Sequence, residues 1–167
     1  MPTGESPAHP LPMTEAQARE AIELLFFAYR DFTGEPDAIL ADFGFGRAHH
    51  RVVYFVGRHP GISVSELLAI LKITKQSLSR VLGQLIREEF IAQRTDSGDR
   101  RRRCLSLTSK GQELERQLTQ RQWTRIARAY ALAGTDAIGG FTTVLRGIIN
   151  AEDRERVPVA ATASAPE

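Results

Sequence analysis

Apolar residues recur at helical spacing along most of this chain, and the period gives way to strand-like alternation in one short region between positions 91 and 107. Thr14 precedes Ala18, Ile22, Leu25, Phe26 and Tyr29, which predicts a capped helix to about residue 32, ended by Gly34-Glu35-Pro36. A short helical turn is expected over residues 38–42, and residues 47–57 carry Val52, Val53, Phe55 and Val56 on a second helix. His59-Pro60-Gly61 stops it. Ser63-Val64-Ser65-Glu66 has the Ser-x-x-Glu form of a capping box, in which each side chain satisfies a free backbone donor. The helix it opens runs to about residue 71 and buries Leu67, Ile70 and Leu71. After Lys72-Ile73, Thr74 caps a further helix to about residue 89, with Leu78, Val81, Leu82 and Leu85 as its apolar stripe. The opposite face is Gln76, Ser79, Arg80, Gly83, Gln84 and Arg87. Two compact helices, the second with a small, polar and basic outer face, make a helix-turn-helix.

Residues 91–94 and 104–107 are short enough to pair as strands, and Leu105 and Leu107 alternate as half-buried positions do. Between them Asp96-Ser97-Gly98-Asp99 forms a tight turn followed by Arg100, Arg101, Arg102 and Arg103, a cationic finger beside the helix pair. From Thr108-Ser109-Lys110-Gly111 a long helix runs to about residue 132, and Gly134-Thr135-Asp136 opens a last one with Phe141, Val144, Leu145, Ile148 and Ile149 on one stripe. The apolar faces of the first, the long and the last helix lie outside the helix-turn-helix unit and need a partner, which two-fold association supplies. The expected fold is mainly α with a small β-wing. Residues 47–107 form a winged helix-turn-helix, residues 13–34 and 108–151 are dimerisation helices, and residues 1–12 and 152–167 are disordered tails.

Charge sharpens this picture. Residues 72–110 hold ten Lys or Arg against four acids, a surplus of six, whereas the remaining twelve basic and sixteen acidic residues leave a deficit of four. A basic middle with acidic flanks fits a module that grips double-stranded DNA. The single cysteine, Cys104, excludes an internal disulfide, and no Cys/His cluster has zinc-finger spacing, so neither metal nor cofactor is expected. No export signal or apolar run of about 18 residues is present, which makes the cytoplasm the expected compartment, with no membrane partner. No nucleophile, base and orienting group stand at a motif spacing, so an enzyme is not expected. The competing reading is a winged-helix adaptor that docks an acidic protein on the same basic surface.

The helix-turn-helix, the Asp96-x-x-Asp99-Arg100-Arg101 wing and the Leu105-Ser106-Leu107-Thr108-Ser109-Lys110-Gly111 segment, in that order, resemble the MarR family of transcription regulators over about residues 14–150. Residues 24–80 further resemble the PetP-type subgroup of alphaproteobacteria. The resemblance implies a triangular homodimer with intertwined terminal helices, acting on DNA as a repressor at a near-palindromic operator. Its recognition-helix positions fall on Lys75, Gln76, Ser77, Ser79, Arg80 and Gln84, and its minor-groove arginine on Arg101 or a neighbour. Chemistry supports the roles. Arg80 suits guanine O6 and N7, Gln76 or Gln84 suits adenine, and Ser77 and Ser79 permit close approach. Thr74 and Lys75, at a helix start, suit phosphate.

The resemblance also implies a small-molecule effector in a cavity bordered by the second helix, which Phe26, Tyr29, Arg47, His50 and Tyr54 are expected to line. His49 and His50 are adjacent, so they point about 100° apart and cannot both face one ligand. Structural or surface roles are expected for them, and an inert strand position for Cys104. Two departures from the family pattern stand out. Gly98 occupies a wing position commonly held by arginine, and Glu89 stands where a glycine usually ends the recognition helix.

Overall fold

A computed structural model describes residues 13–99 and 102–160. Helix α1 (Glu15–Ala41) opens with a full capping box, Thr14 accepting from the Gln17 N–H while the Gln17 side chain accepts from the Thr14 N–H. It does not end at Gly34-Glu35-Pro36 but passes through them and absorbs the turn expected over residues 38–42. Proline within a helix removes one hydrogen bond and costs about 3 kcal/mol. Here Pro36 and Leu40 are wholly buried, and Thr33 ties the preceding turn by donating its hydroxyl to the Tyr29 and Arg30 carbonyls. Tertiary burial overrides the local breaker.

Helix α2 (Arg47–Arg58) buries His50, Val52, Val53 and Val56 at the centre of the core. After it, β1 (Ile62–Ser63) leads into α3 (Val64–Leu71), whose Ser63/Glu66 capping box is complete. Of its expected core residues Leu67 is buried, while Ile70 and Leu71 are half-buried against the core. Helix α4 (Lys75–Arg87) is capped by Thr74 and buries all four residues of its stripe, Leu78, Val81, Leu82 and Leu85. The wing comprises β2 (Ile91–Thr95) and β3 (Arg103–Leu107), joined antiparallel in the register Ile91 to Leu107 and Thr95 to Arg103. β1 adds a third strand through Ile62 to Leu105, giving the order β1-β3-β2. Two residues are too few to show alternation, so this strand leaves no trace in the hydrophobic pattern.

The long helix α5 (Ser109–Ala133) is capped by Thr108 and buries only Gly111, Leu114 and Leu118, all in its first half. Helix α6 (Thr135–Ile148) buries nothing. It is not the last helix: a short turn, α7 (Ala151–Arg154), follows within the segment expected to be a tail, and Lys72 holds it through Glu152 and Asp153. Among the described residues no helix is long and apolar enough to cross a membrane.

The join between α4 and the wing answers the question posed by Glu89. That residue adopts the left-handed conformation itself, at φ 61°. The helix closes by Glu89 N–H to Ile86 O (3.1 Å) and Phe90 N–H to Leu85 O (2.8 Å), the double bond of a Schellman end. Thr108 donates its hydroxyl to Glu89 O (2.6 Å) and its N–H to Phe90 O (3.1 Å), and Lys110 Nζ reaches Glu88 O at 2.9 Å. Gly111 lies so close that a Cβ built on it would sit 2.0 Å from Phe90 O. The Thr108-to-Gly111 segment is therefore a clamp on the end of α4.

Candidate nucleic-acid interface

Helix α4 turns its buried stripe inward and leaves Lys75, Gln76, Ser79 and Arg80 exposed, with Ser77 half-buried. Among the described residues, no side-chain hydrogen bond or ion pair engages Lys75, Gln76 or Arg80. Glu88, two turns on from Arg80, instead accepts from Gln84 at 3.0 Å. Thr74 is committed to the helix start, accepting from the Ser77 N–H (3.1 Å) and donating to the Ser77 hydroxyl (2.8 Å). The free backbone donors of the first turn and the positive end of the helix dipole lie at the end of α4 that Lys75 begins.

Gln84 stands apart from the other α4 positions. It is half-buried and engaged at both ends of its amide, at 2.9 Å from His49 Nε2 and at 3.0 Å from Glu88. His49 stacks on Phe45 (centroids 4.6 Å apart, planes within 11°), and its Nδ1 accepts the Gly46 N–H at 3.1 Å. Sequence reasoning gave His49 no specific role, because its partner lies thirty-five positions away.

The wing tip is shaped by Asp96, whose Oδ1 accepts the Gly98 N–H (2.7 Å) and the Asp99 N–H (3.3 Å). These backbone donors, with Arg102 nearby, hold the Asp96 carboxyl below the usual carboxylate range. Arg100 and Arg101 lie outside the described residues. Arg103 is exposed on β3, while Arg102 reaches back to Glu66 at 3.2 Å, a pairing invisible in the sequence. Glu66 is held below its ordinary pKa first by the Ser63 hydroxyl, then by the Ser63 N–H and Arg102. Cys104 is half-buried, its thiol 3.8 Å from Asp96 Oδ2.

On the opposite side of α2, a cleft of about 550 Å³ lies between α1, α2 and α5. Tyr29, Arg47, His50 and Tyr54 line it as expected, but Phe26 does not: it is 63% exposed on the outer face of α1. Its neighbour in sequence, Phe27, packs edge-on to it with ring centroids 5.3 Å apart. Trp123 and Gln122 of α5 complete the cleft wall. Arg47 pairs with Asp37 (2.8 Å), Arg51 donates to the Tyr29 hydroxyl (2.8 Å), and burial pushes the His50 imidazole below its ordinary pKa.

Comparison with known proteins agrees with this architecture. The family model described as MarR family matches residues 43–102, which run from the loop before α2 to the wing. The chain is 46% identical over 138 residues to the HTH-type transcriptional regulator PetP of Rhodobacter capsulatus, covering 83% of each protein. Among solved structures it is similar to MarR (22% identity, TM-score 0.59, 84% of this chain and 98% of that one). It is also similar to FabT of Streptococcus pneumoniae in complex with DNA (17% identity, TM-score 0.70, 78% of this chain and 94% of that one). At these identities the two structures bear on the fold alone.

Proposed function

The chain belongs to the MarR family, and from that premise we propose that it is a sequence-specific repressor that grips a near-palindromic duplex as a homodimer and responds to a small molecule in the α1/α2/α5 cleft. The observation that carries the reading is the contrast along α4. Lys75, Gln76, Ser79 and Arg80 are exposed, and the three long ones are unengaged among the described residues, directly beside an arginine-rich wing. Long polar side chains with no internal task on a capped helix end are the groups that meet base edges and phosphates.

Two-fold association is supported by what the single chain leaves uncovered. Ile22, Leu24 and Phe26 of α1 and Val144 and Ile148 of α6 are each more than half exposed, and α6 buries no residue at all. Apolar faces of that extent mark association surfaces. A homodimer would set two α4 helices about one helical turn apart, roughly 10 base pairs.

The test is duplex selection followed by binding at graded salt. The parent should recover a two-fold symmetric site, bind it orders of magnitude more tightly than bulk DNA, and lose affinity steeply as salt rises. Arg80→Ala should erase the discrimination and leave the oligomer unchanged. Parent protein that selects no sequence even in dilute buffer would refute the reading.

A further inference from the structure

The tautomer of His49 is fixed by its surroundings. Its Nδ1 accepts a backbone N–H, that of Gly46 at 3.1 Å, so the ring proton of the neutral imidazole sits on Nε2. Nε2–H then donates to whatever lies 2.9 Å away, and that atom of Gln84 must be its carbonyl oxygen. The other end agrees: the Gln84 NH2 faces the Glu88 carboxylate, which only accepts, at 3.0 Å. The orientation of this amide is therefore set from both sides. Stacking on Phe45 holds the imidazole in place.

We propose that His49 is a specificity-determining residue that acts through Gln84, pinning the amide of Gln84 between His49 and Glu88 so that this side chain does not turn to read adenine. Bidentate recognition of adenine needs the amide oxygen to accept from N6 and the amide N–H to donate to N7. With one lone pair of its oxygen bonded to His49 and one N–H bonded to Glu88, Gln84 retains one acceptor site and one N–H, but the amide is pinned from both ends and is not free to turn both onto one adenine. Held in this way it can meet a phosphate or a purine N7 and discriminates weakly. Base reading on α4 is thereby confined to its first two turns, around Gln76 and Arg80, and His49 is a positioning residue rather than a DNA contact. This inference rests on the DNA-binding reading above.

Duplex selection from a randomised library separates the two. Three variants are compared with the parent. His49→Phe keeps a ring to stack on Phe45 and loses the N–H, His49→Gln restores a donor, and Gln84→Ala removes the restrained amide. Gln84→Ala alone should change base preference at any position by less than about threefold. His49→Phe should gain an adenine preference of about tenfold at one position per half-site, His49→Gln should select as the parent does, and His49→Phe with Gln84→Ala should lose the new preference. A merely structural role for His49 would lower the melting temperature and weaken all sequences alike. The proposal is overturned if His49→Phe selects the parent's sequence, if its new preference survives Gln84→Ala, or if Gln84→Ala by itself shifts base preference tenfold. The last result stands even where His49→Phe does not fold. A parent that selects no sequence refutes the DNA-binding reading instead.

Discussion

Gly111→Ala is the sharpest probe of how the end of α4 is held. The added Cβ would lie 2.0 Å from Phe90 O and 3.0 Å from Phe90 C, where side-chain carbons essentially never come closer than 3.0 Å. The obstacle is backbone, and it cannot swing aside. Phe90 O accepts both the N–H and the hydroxyl of Thr108, and the Phe90 ring is 1% exposed with Lys110 Nζ 4.3 Å above it. Relief therefore requires α5 to move about 1 Å away from the end of α4, an overpacking cost of about 1–3 kcal/mol. One or two hydrogen bonds to Phe90 O would weaken as well, at about 1 kcal/mol each. Alanine returns about 1 kcal/mol of helix propensity. The net loss is about 1–4 kcal/mol, which for a chain of this size lowers Tm by about 2–15 °C.

Far-UV circular dichroism melts of Gly111→Ala and of Gly83→Ala check this. Gly83 is the control, since its added Cβ meets only the mobile Arg87 guanidinium at 3.3 Å, and its variant should melt no lower than the parent. A Gly111→Ala protein that melts at or above the parent temperature would show that the close approach to Phe90 carries no constraint, and the account of the Thr108-to-Gly111 clamp would fall.

Four further outcomes are expected. Glu89→Gly should raise stability by about 0.5–1 kcal/mol in denaturant titrations, because the left-handed residue at φ 61° costs about 1–2 kcal/mol and glycine returns part of that as unfolded-state entropy. For His50, burial lowers the folded pKa below the unfolded value of about 6.5, with Asp37 and Glu115 opposing and Arg51 assisting. The stabilisation is thus complete above about pH 6.5 and is lost as pH falls through the folded pKa; unfolding titrations at stepped pH should show this acid loss reduced in His50→Leu. On the proposed two-fold association, Phe26→Glu combined with Val144→Glu should give a single subunit by light scattering and abolish binding to a selected duplex. Glu66→Gln keeps an amide oxygen for the Ser63 cap but removes the charge opposite Arg102, so DNA binding at low salt should tighten severalfold with a steeper salt slope.

Legibility in the sequence follows the range of the interaction that fixes each element. The α4 stripe, the three caps at Thr14, Ser63 and Thr74, and the wing strands, correct to within one residue, all depend on neighbours a few positions away. Where distant residues decide, the local rules misdirect. Pro36 predicts a break, yet its burial against the core carries α1 onward. α7 has no strong pattern of its own, and its anchor Lys72 lies eighty positions upstream. β1 exists because Leu105 is there to pair with Ile62.

The same division runs through the candidate site. Lys75, Gln76 and Arg80 are conspicuous in sequence, and nothing inside the described chain engages them, so the fold leaves them as their local context presents them. Gln84 has the same polar character and helical phase, and sequence alone groups it with them. The difference is made by His49, on another helix, and by Glu88, which together engage both ends of its amide. Arg102 differs from Arg103 in the same manner, through Glu66. Reading a polar surface from composition therefore groups together residues that the fold treats differently, and the difference is found by asking of each polar group which partners the fold already gives it. On the proposed reading, that accounting leaves the first two turns of α4 to discriminate bases, at the helix end whose dipole and free backbone donors favour an anion.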